Sequence, residues 1–179
     1  MFSADKNKKN SFHNETFFIC RSQILKGNVS AFYCNPLNAK FQSMITQKHI
    51  TIEGKRRGFH LITSQILKEL GELPECGLLN LFVKHTSCGL SINENADPDV
   101  RHDMETLANR MAPEADPAYY HTLEGDDDMP AHFKSSVMGV SLTIPISNHR
   151  LDLGTWQGIY FCEFRNCGGS RHITATIYS

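Results

Sequence analysis

Short segments of high β propensity, rather than long helical stretches, limit what this chain can fold into. These segments are rich in β-branched and aromatic residues and are bounded by turn residues, which predicts strands. The predicted strands occupy residues 44–52, 78–83, 89–92, 137–146, 155–164 and 172–178. The last three follow one another without an intervening helix, so we expect mainly antiparallel pairing.

A first helix is predicted after the first strands. Thr63 is the expected N-cap of a short helix in which Ile66, Leu67 and Leu70 share one face, and Gly71 ends it.

The clearest helix signal begins at Asp97, the expected N-cap, with Pro98 at the first helical position. One apolar stripe follows, formed by Val100, Met104, Leu107 and Met111. Pro113 closes this helix, and residues 115–134 show neither helical nor strand periodicity. A long acidic loop is expected there, of the kind that is usually functional or disordered. The predicted order is ββαββαβββ, an α+β fold.

Length and charge argue against several classes of protein. A chain of 179 residues suits one compact domain, and no apolar run approaches the ~18 to 20 residues of a membrane-spanning helix. Lys and Arg number 18 against 19 Asp and Glu, which gives a net charge of -1. This balance argues against nucleic acid or a membrane surface as a partner.

The six cysteines form no C-x-x-C motif, and no secretory signal peptide is evident. We therefore expect an intracellular, cytoplasmic protein whose cysteines are reduced and serve packing. Residues 1–40 are predicted to be a variable, partly disordered extension, and residues 41–179 the folded domain. The basic, acid-poor character of the extension leaves mitochondrial targeting open as an alternative.

Histidine, the commonest metal ligand, occurs nine times, and the acidic loop holds two of these residues. Residues 120–132 contain the following histidines and carboxylates: His121, His132, Glu124, Asp126, Asp127 and Asp128. Imidazole and carboxylate together suit Zn²⁺, Fe²⁺, Mn²⁺ or, through the carboxylates, Mg²⁺. The spacing matches no narrow metal motif, so a solvated acidic loop with ordinary surface histidines is the alternative interpretation.

Polar residues also gather where the two strands before the second helix end. His85 follows one of them, and Asn93 and Glu94 end the other. If these strands formed a hairpin, Glu94 would lie at the end opposite His85. The two residues could then act in one site only if the strands were bent or if the site lay between subunits.

Two further groups lie near the end of the chain. Trp156, the only tryptophan, stands with Gln157 between two glycines, which indicates either a stacking face beside an amide or a packed core residue. Glu163, Arg165 and Arg171 offer two guanidinium groups for phosphate, or salt bridges among themselves.

Three motifs, taken in order, resemble the YjbQ family: HTS at 85–87 with SINENADPDVR at 91–101, PAHFKSS at 130–136, and LGTWQGIY at 153–160. The resemblance runs from residue 41 to residue 179. The family is known as an uncharacterised protein family and also carries the label secondary thiamine-phosphate synthase.

The resemblance implies an antiparallel β-sandwich with two helices, assembled as a homotrimer, with a histidine-lined site for a divalent metal. Its metal-ligand candidates are His85, His121 and His132. The implied catalytic candidates are Glu94, Asp126 and Lys134. The implied substrate-binding candidates are Asn93, Trp156, Gln157 and Arg171.

Two functions are compatible with this resemblance. The first is a metal-dependent enzyme acting on a small phosphorylated or heterocyclic substrate, with thiamine-phosphate synthesis as its named, secondary reaction. That reaction needs a divalent cation and basic groups for the departing pyrophosphate; Lys134 and Arg171 are the basic candidates. The second is a non-catalytic trimeric binding or scaffold protein in which the histidines hold a structural metal.

Overall fold

The structure, a computed structural model, describes residues 44–179. The prediction for residues 1–40 lies outside the described residues. The elements are β1 Ile45–Ile52, β2 Gly58–Leu61, α1 Thr63–Leu70, β3 Cys76–Val83, β4 Cys88–Glu94, α2 Pro98–Met111, α3 Asp128–Met138, β5 Ser141–Ser147, β6 Arg150–Leu151, β7 Gln157–Glu163 and β8 Arg171–Tyr178.

Two antiparallel sheets form a sandwich, as expected for the α+β class. One sheet has five strands in the order β1-β8-β3-β5-β6, and the other has three in the order β2-β7-β4. The strands β3 and β4 lie in different sheets, so they do not form a hairpin. All strand pairs described are antiparallel.

The main core lies between the sheets. Alternate residues of the large sheet, such as Leu79, Leu81 and Ile173, face Ile159 and Phe161 of the small sheet. Each of these side chains is fully buried, and burial of one such side chain stabilises the fold by about 1.5–3 kcal/mol.

A second, smaller core covers the other face of the small sheet. Tyr160 and Cys162 of β7 point into it and pack with Ala108 of α2 and Ala131 of α3. The strand β7 is therefore buried on both faces. The helices α2 and α3 form a third layer on this face, which positions the N-terminus of α3 near the start of β4, whereas α1 contributes Ile66 and Leu70 to the main core.

The prediction for residues 115–146 was wrong in part. Residues 115–127 do form a loop, but α3 begins at Asp128 and continues to Met138, where a strand had been predicted. The carboxylate of Asp128 is favoured in a first helical turn, and Pro130 is tolerated there because the first N–H groups have no intrahelical partner. Gly139, at φ 91°, ends the helix, and β5 begins only at Ser141. The chain thus has a third helix that ββαββαβββ lacks.

The start of α2 is confirmed, and that of α1 is corrected. Asp97 caps α2 and accepts a hydrogen bond from the Asp99 N–H at 2.8 Å. In α1 the N-cap is Ile62, and Thr63 is the first helical residue. The Thr63 hydroxyl instead accepts a hydrogen bond from the Ile159 N–H at 2.8 Å, which ties α1 to β7.

The apolar stripe predicted for α2 is only partly covered. Leu107 and Met111 are 58% and 47% exposed, whereas Ala108 is the buried residue of this helix. The reason is that α2 packs beside the short edge strand β2, and only Met104 and Ala108 join the smaller core.

The outer face of the five-stranded sheet carries exposed apolar side chains. The pairing register places Ile45 opposite Tyr178, Tyr178 opposite Leu78, and Leu78 opposite Pro145, so these residues form one row across the sheet. Ile45, Leu78 and Tyr178 are 64%, 45% and 46% exposed. A row of this kind is typical of a surface that another protein covers.

Of the four cysteines that the structure describes, two serve packing as predicted and two do not. Cys88 and Cys162 are buried packing residues, and Cys76 and Cys167 are exposed; all four are free thiols. Burial raises the pKa of Cys88 to about 12 and also raises that of Cys162. The two buried thiols are therefore unreactive.

Among residues 44–179, no helix combines the length and the apolar character needed to cross a bilayer.

Candidate functional site

The first turns of α3 place an acid and a histidine side by side. Asp128 and His132 are four residues apart, so their side chains lie on one face of the helix. The side chain of Asp128 is only 2% exposed, whereas that of His132 is 32% exposed. A buried carboxylate in this position needs partners of opposite charge or hydrogen-bond donors.

Two histidine rings converge on one oxygen of that carboxylate. His121, from the loop before α3, places Nε2 2.7 Å from Asp128 Oδ2, and His132 Nε2 lies 3.1 Å from the same oxygen. Glu124 completes a group of four residues whose ligand atoms all lie within 4.8 Å of one another. We call these four residues the His–Asp cluster. Two imidazoles with two carboxylates are donors that suit a divalent transition metal.

The backbone fixes which nitrogen of His132 carries hydrogen. Nδ1 lies 3.0 Å from the carbonyl oxygen of Thr86, and a carbonyl can only accept, so Nδ1–H is the donor. A neutral His132 therefore turns the Nε2 lone pair toward Asp128 Oδ2, which also carries lone pairs. The two atoms attract each other only when a proton or a cation lies between them. Metal-binding histidines are commonly oriented by a carbonyl on the second nitrogen in this way.

Arg165, two residues after the end of β7, holds the His–Asp cluster in place. Its guanidinium bonds to Asp128 Oδ1, donates from Nε to Asp127 Oδ2 at 3.1 Å, and donates to the Glu124 carbonyl at 2.8 Å. One oxygen of Asp128 is thus used by Arg165, and the other faces the histidines. Partial burial would raise the pKa of Asp127, but hydrogen bonds from Asn166 and Arg165 outweigh it and lower that pKa.

His85 is exposed, but it contacts a separate network of buried polar residues. The Ser87 N–H donates to His85 Nδ1 at 3.1 Å, and Arg171 donates to the Ser87 hydroxyl at 3.4 Å. Arg171 also makes two hydrogen bonds to Glu163, at 2.8 and 3.1 Å, and both residues are buried. The guanidinium of Arg171 is therefore paired with Glu163 and Ser87 inside the protein and is not a partner of the His–Asp cluster.

This network sets the tautomer of His85 opposite to that of His132. An N–H donor occupies the lone pair of Nδ1, so a neutral His85 carries its hydrogen on Nε2. Burial, reinforced by the nearby Arg171 charge, lowers the pKa of His85 and favours the neutral ring. His85 thus presents an N–H rather than a lone pair, and it is not among the four residues of the His–Asp cluster.

His85 and His132 nevertheless share one pocket of about 600 Å³. Lys84 lies at its rim, and Ser135 and Ser136 of α3 supply further polar groups. Its apolar wall is formed by Phe82, Val83 and Val140. The pocket therefore joins a hydrogen-bond donor, a lysine and one histidine of the His–Asp cluster, an arrangement that suits a small anionic ligand.

Lys134 and Asp126 lie apart from this pocket's polar groups. Lys134 is 1% exposed and donates to Asn109 Oδ1 at 2.8 Å, which ties α3 to α2. Burial, with the nearby charge of Arg57, lowers the pKa of Lys134 to about 8. Asp126 accepts a backbone hydrogen bond from Ala115 but contributes no ligand atom to the His–Asp cluster.

The remaining predicted residues form a second group at the other end of β4. Asn93, Glu94, Trp156 and Gln157 line a pocket of about 540 Å³. Glu94 is six residues along the strand from Cys88, which corresponds to roughly 20 Å. The sequence-predicted residues thus separate into two places, one around α3 and one beside Trp156.

Three residues in or beside the His–Asp cluster were not predicted from the sequence as site residues: Glu124, Asp128 and Arg165. The signal for Asp128 was its spacing of four from His132, which has meaning only if both lie on a helix. Arg165 was considered only as a phosphate or Glu163 partner, whereas its guanidinium pairs with Asp127 and Asp128.

Comparison with known proteins gives consistent results. The profile described as UPF0047 protein YjbQ-like matches residues 48–179. The UPF0047 protein YjbQ of Escherichia coli O157:H7 is 50% identical over 133 residues, which cover 73% of this chain and 96% of the relative. Its Salmonella typhimurium counterpart is 53% identical over the same length and coverage. A crystal structure from Clostridium acetobutylicum, of an uncharacterized conserved protein of the yjbq/upf0047 family, is 36% identical, with a TM-score of 0.62, and covers 73% of this chain and 98% of that chain.

Proposed function

This chain belongs to the UPF0047 YjbQ-like family, and we propose that it is a metal-dependent enzyme acting on small phosphorylated or heterocyclic substrates. The observation that carries the proposal is the convergence of His121 Nε2 and His132 Nε2 on one oxygen of Asp128. His121 can donate to that oxygen, but a neutral His132, whose Nδ1–H is used by Thr86, turns a lone pair toward it and needs a proton or a cation between the two atoms. A cation shared by both rings and the carboxylate would satisfy all three groups.

The donor set fits a transition metal better than magnesium. Imidazole nitrogen suits Zn²⁺ or Fe²⁺, carboxylate oxygen suits Mn²⁺ as well, and Mg²⁺ prefers an all-oxygen shell. His121, Asp128 and His132 would hold the ion, with Glu124 as a fourth ligand. When bound, the ion would supply positive charge to stabilise a phosphate or pyrophosphate group.

Solvent access favours a catalytic role over the alternative of a structural metal in a scaffold protein. Structural sites are closed by protein ligands, whereas catalytic ones keep a position open. The side chains of His121 and Glu124 are 44% and 65% exposed, and the 600 Å³ pocket reaches His132. A small-molecule substrate therefore has a route to the proposed ion.

Residues of the chain itself provide the other groups. We assign His85 to donate a hydrogen bond from Nε2 to a substrate oxygen, and Lys84 to attract an anionic substrate at the rim. Ser87 and Arg171 position His85, because the Ser87 N–H donates to His85 Nδ1 and Arg171 donates to the Ser87 hydroxyl. In this proposal Lys134 and Asp126 support the helix and loop that carry the His–Asp cluster.

The named reaction can be tested directly. Thiamine-phosphate synthesis joins a pyrimidine diphosphate to a thiazole phosphate: a carbon–nitrogen bond forms, and pyrophosphate leaves with its bonding electrons. The purified protein, supplied in turn with Zn²⁺, Fe²⁺, Mn²⁺ and Mg²⁺, is incubated with both precursors, and thiamine phosphate is quantified by chromatography. We expect metal-dependent product that the His132→Ala variant does not form. Absence of product with every metal at high enzyme concentration would exclude this reaction.

We further propose that the chain assembles as a homotrimer through the outer face of the five-stranded sheet. The supporting observation is the exposed row that contains Ile45, Leu78 and Tyr178. Light scattering at micromolar concentration should give three times the 20.2 kDa of one chain. Leu78→Glu, which places a charge in that row, should reduce the mass, whereas Leu107→Glu on α2 should not. A wild-type mass near that of one chain would contradict the trimer.

A further inference from the structure

The turn before β7 holds a large aromatic side chain rigidly in an exposed position. The Gln157 N–H donates to the Gly154 carbonyl at 2.9 Å, and the Gly154 N–H donates back to Gln157 Oε1 at 2.8 Å. The Trp156 carbonyl accepts a third bond, from the Asn95 N–H, at 2.8 Å. Despite this fixed backbone, Trp156 is 65% exposed. A rigid turn that presents an uncovered indole is preorganised for binding.

The 540 Å³ pocket beside Trp156 contains polar groups with unused hydrogen-bonding capacity. Asn93 Oδ1 accepts from the Glu94 N–H at 2.8 Å, and Gln157 Oε1 accepts from Gly154, so each amide keeps its NH₂ group free. Within residues 44–179, no hydrogen bond or ion pair involves these NH₂ groups or the Glu94 carboxylate. The pocket thus offers one stacking surface, one anionic acceptor and two amide donors.

We infer that this pocket binds a planar, amino-substituted nitrogen heterocycle, such as an aminopyrimidine or an aminopurine. The ring would stack on Trp156, its exocyclic amine would donate to Glu94, and its ring nitrogen or carbonyl would accept from the Asn93 or Gln157 amide. An alkylammonium ligand is less well suited, because Trp156 is the only aromatic residue of the described part of the chain that lines the pocket, and recognition of such cations uses a cage of several.

The pocket is a second binding site, separate from the His–Asp cluster, so the inference goes beyond the proposed function. The binding step itself requires no metal. The pocket lies roughly 20 Å along β4 from the Cys88 end, near which His132 lies. Failure of metal binding and failure of heterocycle binding are therefore separate results.

The chain's single tryptophan makes the test specific, since excitation of indole reports on this pocket alone. Full-length protein is titrated with cytosine and, as a matched probe without the exocyclic amine, with uracil. We expect saturable quenching by cytosine and at least about tenfold weaker binding of uracil, because the hydrogen bond to a charged acceptor is lost. Glu94→Gln should weaken cytosine binding by a similar factor, and Glu72→Gln, an exposed glutamate elsewhere, should leave it unchanged.

Heterocycle binding at this pocket should be independent of the metal site. His132→Ala should bind cytosine as the wild type does, even after it has lost metal. Equal affinity for cytosine and uracil, no saturable quenching, or quenching only by tetramethylammonium would overturn the inference. Emission at the short wavelengths of a buried indole that moves to longer wavelengths on dilution would also overturn it, because a second copy of the chain would then cover the pocket.

Discussion

Replacement of the buried Lys134 should stabilise this protein. The residue is 1% exposed, and its ammonium group donates a hydrogen bond to the Asn109 amide oxygen. Burial, with repulsion from Arg57, lowers its pKa from 10.5 to about 8. At pH 7 this difference corresponds to about 3 kcal/mol by which folding disfavours the protonated lysine.

Lys134→Met keeps most of the side-chain length and removes the charge. Loss of the hydrogen bond to Asn109 costs about 1 kcal/mol, so we expect a net gain of about 1–2 kcal/mol in the free energy of unfolding at pH 7. The folded state binds fewer protons than the unfolded state between pH 8 and 10.5, so this lysine makes wild-type stability rise with pH in that window. The variant should lack that contribution.

Urea unfolding followed by circular dichroism at about pH 7, 8, 9 and 10 measures both effects. Lys68→Met, which removes an exposed lysine from α1, is the matched control and should follow the wild type. A Lys134→Met variant that is less stable at pH 7 and keeps the wild-type pH dependence would refute the reasoning, because Lys134 would then be stabilising as a cation.

Two further predictions concern packing and charge. Glu163→Gln leaves the buried Arg171 without its counter-ion and should lower the free energy of unfolding by about 3–5 kcal/mol in urea; a loss below about 1 kcal/mol would show that the pair is not a structural requirement. Gly77→Ala should lower the thermal midpoint, because the added methyl overlaps the Tyr178 carbonyl oxygen of the neighbouring strand. Gly169→Ala is its control, because no atom of residues 44–179 outside its chain neighbours lies within 4 Å of the added carbon, and equal midpoints would contradict the packing argument.

Most strands and α2 could be predicted because they depend on local signals. The alternation in β3 and β8 and the Asp97–Pro98 start of α2 are properties of neighbouring residues. The helix α3 was missed because its acidic beginning was interpreted as loop composition. Its start has the same chemistry as that of α2: an aspartate in the first turn and a proline close to it.

The site was harder to predict because it depends on tertiary contacts. His121 and His132 were identified from residue type, but Asp128 is distinguished from Asp126 only by its position on α3. The tautomers of His85 and His132 depend on Ser87 and Thr86, through backbone groups that no sequence pattern displays. The pairing of Arg165 with Asp127 and Asp128 likewise joins segments that are far apart in the chain.

Metal content shows whether the His–Asp cluster holds a divalent cation. Wild-type protein and the His132→Ala variant are incubated with Zn²⁺, Fe²⁺ or Mn²⁺, desalted, and analysed by inductively coupled plasma mass spectrometry. His102→Ala, which removes an exposed histidine from α2, is the control. We predict about one ion per chain in the wild type and control, and at least about tenfold less in His132→Ala at unchanged fold and mass. Full metal content in His132→Ala, or none in the wild type with any of these ions, would show that the His–Asp cluster is not a metal site.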